Sequence, residues 1–151
     1  MSLTVAQLAT LKTDIQSQGS LAVARTAADW ITVANFYNAP SATPIWRTDL
    51  RNSEVMAALV GTDVAALSSA GSLGLLQILL TPDTTDASSV NIQTDFSTLF
   101  SGKVSLTNLT NVAQRLGTRL ESLFSAGGPP ATTVLFGYSI QASEVQKAMG
   151  F

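Results

Sequence analysis

The sequence contains no cysteine and no histidine. The absence of cysteine excludes a disulfide framework, a thiol nucleophile and a thiolate metal site. The absence of histidine also excludes serine–histidine–aspartate catalysis, the common zinc ligands and the usual switch near neutral pH. Charged residues are scarce as well, at 12% of 151 residues, which is about half the usual share. Such a surface is either largely covered by partners or solvated by serine and threonine alone.

Motifs for catalysis or for binding a cofactor are also missing. The nearest pair of carboxylates, Asp83 and Asp86, lies in a loop without the other oxygen ligands or the central glycine of a calcium site. The glycine-containing stretches lack the GK[ST] ending of a phosphate loop, and none of the three lysines has a Ser-x-x-Lys context. We therefore expect no enzyme activity, no cofactor, and no catalytic or metal-binding residue.

The charge pattern also limits the partners of the chain. The net charge is −2, and lysine and arginine form no run, so the chain has no means of gripping nucleic acid by its phosphates. It could still surround DNA without holding it. The apolar stretch 55–80 carries Asp63, Gln77 and several serines, whereas a membrane span needs about 20 mostly apolar residues. No membrane insertion is expected.

Helical periodicity runs through most of the chain. Thr4 and Gln7 match a capping box that opens a helix over 5–17, and a longer helix is expected from Ser20 to Tyr37. A short helix starts at Asn52 or Ser53 and reaches Leu59. The helix expected over 69–80 is apolar nearly all round, which indicates burial in a core or in an oligomer interface.

The segment 88–126 has the clearest pattern. Apolar residues at helical spacing predict a first helix ending at Ser101-Gly102 and a second running from Ser105 to Phe124, packed as a hairpin. Arg115 and Arg119 would lie one turn apart beside the apolar stripe of the second helix. They are either surface charges or two interface residues on one helical face.

Two segments outside the helices supply the other candidate contacts. Residues 38–48 are expected to form a loop, with Trp46 either covering the core or contacting a partner together with Arg47. Residues 132–136 are β-branched and aromatic enough for a strand, which 137–140 would continue or bend. This strand would pair with the 43–49 loop or with another chain. A last short helix would begin near Ser143, capped through Gln146, and end at Met149.

The expected fold is mainly α, a compact multi-helix bundle with one small β element, a strand or hairpin, near the C-terminus. Residues 1–151 are expected to form a single domain. Its helical body would span about 4–126, and its C-terminal strand and short helix about 130–151.

Three stretches resemble a family of small virion proteins from the neck of tailed bacteriophages: NIQTDFSTLFSG, TNLTNVAQRLGTRLESLFSAG and PPATTVLFGYSIQASEVQKAM. The residues that match the family pattern are Asn91, Ile92, Phe96, Phe100 and Gly102 in the first stretch, Thr118, Arg119, Glu121, Leu123 and Phe124 in the second, and Pro130, Ala131, Thr132 and Phe136 in the third. The likeness covers about the C-terminal 60 residues and consists of packing motifs.

The resemblance implies a head–tail adaptor (connector) in the virion neck, assembled in the host cytoplasm. Such proteins form a multimeric ring between the portal protein and the tail or nozzle protein, and DNA passes through the ring without sequence-specific binding. The alternatives are a capsid-decoration or tail-terminator protein, and a monomeric helical module with an apolar pocket near Trp46 or Trp30 for a ligand or peptide. The candidate interface residues are Trp46, Arg47, Arg115, Arg119, Val134, Leu135, Phe136 and Tyr138.

Overall fold

The computed structural model of the protein describes residues 2–128 and 130–151. Helices account for 57% of it, so the expected mainly α fold with small β elements is confirmed. The helices are α1 (Val5–Ser17), α2 (Ala22–Thr26), α3 (Trp30–Asn38), α4 (Asn52–Ala58), α5 (Gly61–Ala65), α6 (Ala70–Leu79), α7 (Val90–Phe100), α8 (Val104–Val112), α9 (Arg119–Leu123) and α10 (Ala142–Met149). The strands are β1 (Pro40–Trp46), β2 (Leu50–Arg51), β3 (Thr84–Thr85), β4 (Gln114–Thr118), β5 (Ser125–Ala126) and β6 (Thr132–Thr133). The strands form three pairs, β1 with β4, β2 with β3 and β5 with β6.

The chain divides into two compact units. Unit 1 consists of Met1–Thr43 and Leu116–Phe151, and unit 2 consists of Pro44–Arg115. Each unit contains a cluster of buried hydrophobic residues. That the whole chain forms one domain stays a prediction.

In unit 1, α10 packs against α1 and α3. The buried face of α1 carries Leu8, Leu11 and Ile15, which lie three and four residues apart and therefore on one side of the helix. The predicted helix over 5–17 is confirmed, together with its capping box at Thr4 and Gln7. The last helix is also confirmed, but its capping box was assigned to the wrong pair. Glu144, three residues after Gln141, accepts the hydrogen bond from the Gln141 N–H.

The continuous helix expected over 20–37 is wrong. A 3-10 turn (Gly19–Leu21), α2 and α3 replace it. Between the two helices Ala28 adopts a positive φ of 52°, which ends α2 because a left-handed residue cannot continue a right-handed helix. Asp29 then caps α3, and its Oδ1 accepts a hydrogen bond from the Thr32 N–H at 3.1 Å. The break could not be foreseen from spacing, since alanine rarely adopts this conformation.

Unit 2 is built from α4 to α8, with α8 packed against α4 and α7, and α6 against α7. The predicted helices over 53–59, 69–80 and 90–100 are confirmed as α4, α6 and α7. The side chain of Ser69 caps α6 by accepting from the Ser72 N–H. Only part of α6 is buried in its own unit. Leu76 and Leu79 face the core, whereas Leu73 is 48% exposed and Ile78 68% exposed.

The second helix of the expected hairpin, over 105–124, is also wrong. Its first part is α8, its middle is strand β4, and its last part is α9. Thr118 ends the strand and caps α9 by accepting from the Glu121 N–H. Arg115 therefore lies in a strand and Arg119 is the first residue of a helix, so the two do not share one helical face.

Two further predictions are wrong for a common reason, which is that backbone pairing decided the structure. Residues 40–46 form strand β1, although the sequence Pro-Ser-Ala-Thr-Pro suggested a loop. A two-stranded ladder has free edges on which proline is tolerated. The strand expected over 132–136 is limited to β6, which pairs antiparallel with Ser125–Ala126 of the same chain. Within the chain it pairs with β5 and not with residues 43–49, and residues 134–137 form a turn.

Candidate functional site

Trp46 lies at an apolar cavity of about 60 Å³ in unit 2. The floor of the cavity consists of side chains from β2, α7, α8 and the segments next to them, all buried: Leu50, Ala87, Phe96, Leu109 and Ala113. These residues come together because the apolar stripes of α7 and α8 face each other in the core. We call this space the Trp46 cavity.

The rim of the Trp46 cavity consists of half-buried residues, Trp46, Ile92, Gln93, Leu106 and Thr110. Its two polar side chains already have partners. The Gln93 amide nitrogen donates to the Ala87 carbonyl oxygen, and the Thr110 hydroxyl donates to that of Leu106, both at 2.9 Å. No charged side chain lines the cavity among the described residues. The cavity therefore suits a small uncharged apolar group, which would leave no charge desolvated.

Arg47, the neighbour of Trp46, is engaged inside unit 2. Its guanidinium donates to both carboxylate oxygens of Glu54, at 2.7 and 2.9 Å, and to Asp49 at 3.1 Å. Its main chain also bridges two segments, since its N–H donates to the Ala113 carbonyl oxygen and its own carbonyl accepts from the Ala87 N–H. Hydrogen bonding to Arg47 lowers the pKa of Glu54, and the same bond raises the pKa of Arg47. Arg47 thus orders the segments around the Trp46 cavity.

The two arginines expected on one helix differ in their surroundings. Arg119 is exposed in unit 1, and its guanidinium carbon lies 4.1 Å from the centroid of the Phe36 ring. Its Nη1 also donates to the Phe36 carbonyl oxygen at 3.3 Å. Arg115 is half-buried in β4 of unit 2. That the two arginines contact a partner stays a prediction.

The turn at residues 134–137 presents one candidate side chain outward and one inward. Val134 is 69% exposed, whereas Leu135 is buried in the core of unit 1. Phe136 and Tyr138 are half-buried. The Leu135 N–H donates to the Thr133 hydroxyl at 3.2 Å, and the Tyr138 N–H donates to the Leu135 carbonyl oxygen at 2.9 Å. We call residues 134–137 the Val134 turn.

A buried carboxylate holds the Val134 turn in place. Glu121 is fully buried, and its Oε1 accepts from the Gly137 N–H at 2.6 Å. Its Oε2 accepts from the Thr118 N–H at 2.7 Å, which completes the capping box of α9. Gly137 has a positive φ of 70°, which a side chain at this position would disfavour. The turn is therefore tied by a hydrogen bond to a fully buried side chain, and that side chain is itself fixed at the start of α9.

Tyr138 follows the Val134 turn and is tied to the last helix. Its hydroxyl donates to Oε1 of Glu144 at the start of α10. Burial, and then this hydrogen bond, raise the pKa of Tyr138 to about 12. The next residues are held from the other side, because the Asn38 side chain exchanges two hydrogen bonds of 2.9 Å with the main chain of Ile140. These hydrogen bonds fix the segment that follows the Val134 turn.

The structural roles of Glu121 and Glu54 were not predicted from the sequence. The pattern Thr118-x-x-Glu121 is a capping-box signature, so the role of Glu121 at α9 could have been found. Its bond to Gly137 spans 16 residues and has no sequence signature. The same is true of Asp63, which accepts from both the N–H and the hydroxyl of Ser105 at 2.9 Å. These bonds lower the pKa of Asp63.

Within residues 2–128 and 130–151, no three side chains of the aspartate, glutamate, histidine or cysteine type are grouped so that they could hold a metal ion. Across the same residues, none of the helices has the length and apolar character needed to cross a membrane. The geometry that is present consists of an apolar cavity, internal ion pairs and a turn with an outward valine.

No family model, curated protein or solved structure matches the chain. The likeness to neck proteins of tailed bacteriophages therefore stays a prediction from the sequence.

Proposed function

We propose that this protein is a virion structural protein, a head–tail adaptor that forms a multimeric ring between a phage portal and the tail. Its partners are further copies of itself, the portal protein and the tail or nozzle protein, and its location is the virion neck. It is not an enzyme and needs no cofactor. DNA passes through the ring without being held, in keeping with a net charge of −2 and the absence of a basic run.

The observation that carries the partner contact in this proposal is the exposed apolar residues of α6, and the virion role rests on the sequence resemblance. Leu73 and Ile78 are exposed there, and the sequence between Asp63 and Asp83 contains no charged residue. A long uncharged stretch with exposed leucine and isoleucine is typical of a surface that a partner covers. Pairing of a C-terminal strand with a neighbouring chain no longer supports the proposal, because β6 is paired within the chain.

The test is assembly with a portal protein. Light scattering across a concentration series would measure the mass of the protein alone and with portal, while hydrogen exchange follows α6. We expect a defined multimer on the portal and slower exchange in α6. Ile78→Ser should weaken this complex, whereas Val5→Ser, at an 85% exposed residue of α1, should not. A protein that stays monomeric with portal would exclude the adaptor function.

Capsid decoration and tail termination remain alternatives within the same particle. Labelling the protein in intact virions separates them, since an adaptor is found only at the neck.

A second candidate function, a monomeric ligand-binding module, is favoured by the Trp46 cavity. It predicts a change in tryptophan fluorescence when a small apolar ligand is added to the monomer, and the change should be lost when the cavity is filled by Ala113→Val. An adaptor whose cavity serves assembly should instead show the change as copies associate.

A further inference from the structure

We propose that the Trp46 cavity of one copy receives the Val134 side chain of a second copy. The contact deepens the proposed ring function and rests on it, because it names the surface through which copies join. The Trp46 cavity belongs to unit 2 and Val134 to unit 1. The contact therefore joins unit 2 of one copy to unit 1 of another.

The size of the Trp46 cavity points to its occupant. An engineered apolar cavity of about 150 Å³ binds benzene, with six carbon atoms, which corresponds to about 25 Å³ per carbon. On this scale the 60 Å³ of the Trp46 cavity accommodates about two to three carbon atoms. That is the isopropyl group of valine. A phenyl ring, such as that of exposed Phe151, is too large.

The shape of the donor surface selects Val134 among the exposed valines. Val5, Val23, Val90 and Val104 lie on helices, where the side chain points back along the helix and lies close to its surface. Val134 begins a turn, so its side chain can enter a recess. Glu121 and the bond between Tyr138 and Leu135 hold this turn, so presenting the side chain requires little further ordering.

Among the described residues no charged side chain lines the Trp46 cavity, so an isopropyl group that enters it meets no charged group. The sequence from Ser122 to Ser143 has no charged residue, and neither has the sequence from Val104 to Gln114, which supplies two of the five rim residues. The polar rim side chains of Gln93 and Thr110 already have hydrogen-bond partners. An isopropyl group entering between them leaves no buried polar group without a partner.

The contact is heterologous when the cavity and the turn of one copy engage two different neighbours. Repeated from copy to copy, it then produces a ring when the rotation closes and a filament when it does not. A twofold dimer results instead when two copies exchange the contact reciprocally. The proposed ring needs the first of these arrangements.

The absence of native cysteine allows a direct test by disulfide cross-linking. Val134→Cys places a thiol on the turn, and Thr110→Cys places one on the rim. Mixed under mild oxidation, the two variants should form a mixed disulfide at least about tenfold faster than a control mixture of Val23→Cys and Thr110→Cys, since the small apolar side chain at position 134 would be buried against the rim of the neighbour's cavity and the one at position 23 would not. The double variant, with both thiols in one chain, should give a ladder of multimers. Equal rates in the two mixtures would overturn the proposal.

Filling the Trp46 cavity provides a second test of the contact. Ala113→Val in the Thr110→Cys background should abolish the preference for Val134→Cys, and Ala87→Val serves as an alternative if the first variant does not fold. Unchanged thermal unfolding shows that the loss comes from the filled cavity. If cross-linking persists in a folded, filled variant, the side chain does not enter the cavity.

Portal binding of the same variants separates this contact from the function on which it rests. Val134→Ser should prevent multimers on the portal. Multimers that form normally with Val134→Ser, but are weakened by Ala113→Val, would assign the cavity to a side chain of the portal and overturn the proposal. Wild-type protein that ignores the portal, yet cross-links as expected, would support the contact and exclude the adaptor function.

Discussion

Arg119 stacks on Phe36 and donates a hydrogen bond to its carbonyl oxygen, so a single side chain contacts both the ring and the main chain near the end of α3. Phe36 packs in turn against the core of unit 1 and meets the Tyr37 ring edge-on at 5.2 Å between centroids. An exposed charge thereby stabilises a helix end, without an ion pair being needed for the effect.

We expect Arg119→Ala to lower the free energy of unfolding by about 1 kcal/mol, because it removes a cation–π contact and a hydrogen bond. Arg119→Lys should recover less than half of the loss, since lysine lacks the planar group that stacks. Urea unfolding measures both. A double-mutant cycle with Phe36→Leu should show coupling between the two residues, and additive effects would show that the stacking contributes nothing.

Glu121→Gln should destabilise the protein by about 2 kcal/mol, because the buried carboxylate accepts two main-chain N–H groups and an amide can replace it only in part. Amide exchange at Gly137 should become faster in the same variant. The matched control is Glu144→Gln, a capping-box residue that is only half-buried. If both variants lose the same stability and Gly137 exchanges as before, Glu121 does not hold the Val134 turn.

The ion pair of Arg47 and Glu54 predicts a pH dependence. The pKa of Glu54 is lowered in the folded protein, so its contribution to stability is present above the ordinary glutamate pKa of about 4.3 and is lost as the pH falls through the lower folded value. The stability difference between wild type and Glu54→Gln should therefore be constant near pH 7 and shrink below about pH 4. Chemical unfolding at a series of pH values measures it. Asp49→Asn is the control, with a smaller difference expected because Asp49 makes one bond to Arg47, whereas Glu54 makes two. A difference that does not change with pH would contradict the prediction.

The two tyrosines should resist ionisation. Burial raises the pKa of Tyr138 to about 12, and burial and the bond to Asp14 raise that of Tyr37 as well. Free tyrosine ionises near about pH 10, so the folded protein should show little tyrosinate absorbance at about pH 11, where the chain in urea is largely ionised. The stability that the two tyrosines contribute is complete below the pKa of tyrosine in the unfolded chain. It is lost as the pH rises through the higher pKa values in the folded protein. In the Tyr138→Phe variant, the tyrosine ionisation that occurs at the lower pH should disappear from the titration of the folded protein. An unchanged titration would show that this ionisation does not belong to Tyr138.

The sequence was sufficient for elements whose limits are marked locally. α1, α6 and α7 begin and end within about two residues of the predicted positions, because caps and glycine or proline residues flank regular apolar spacing. The mainly α class follows from those helices.

The interruptions were not predictable from spacing alone. An apolar stripe continues in the sequence through Ala28 and through Arg115–Thr118, yet the chain leaves the helix at both places. At Ala28 the reason is a left-handed residue that carries no glycine signature. At 114–118 it is a long-range strand pairing with β1, which local propensity does not reveal.

The candidate site was predicted in part. An apolar pocket near Trp46 or Trp30 was one alternative and Val134 was named, but the residues that line the cavity and the turn that carries Val134 depend on contacts between distant segments. Ala87 and Ala113 leave room for the cavity because their side chains are small. The sequence does not show this, because the effect arises only where the end of α8 packs against the segment before α7. Arg47 was named as a candidate for a partner contact, which stays a prediction, and the sequence did not reveal that its guanidinium is bonded to Glu54 and Asp49 within the chain.

Unit 1 is made from the two ends of the chain, and unit 2 from one uninterrupted middle segment. This has a consequence for synthesis on the ribosome, where the chain emerges from its N-terminus at about 5–20 residues per second. All of unit 2 is synthesised before residue 116, whereas α1 waits for α10, against which it packs. The apolar face of Leu8, Leu11 and Ile15 stays uncovered by α10 until then. A chain interrupted before residue 142 would therefore release a complete unit 2 joined to an N-terminal segment prone to aggregation.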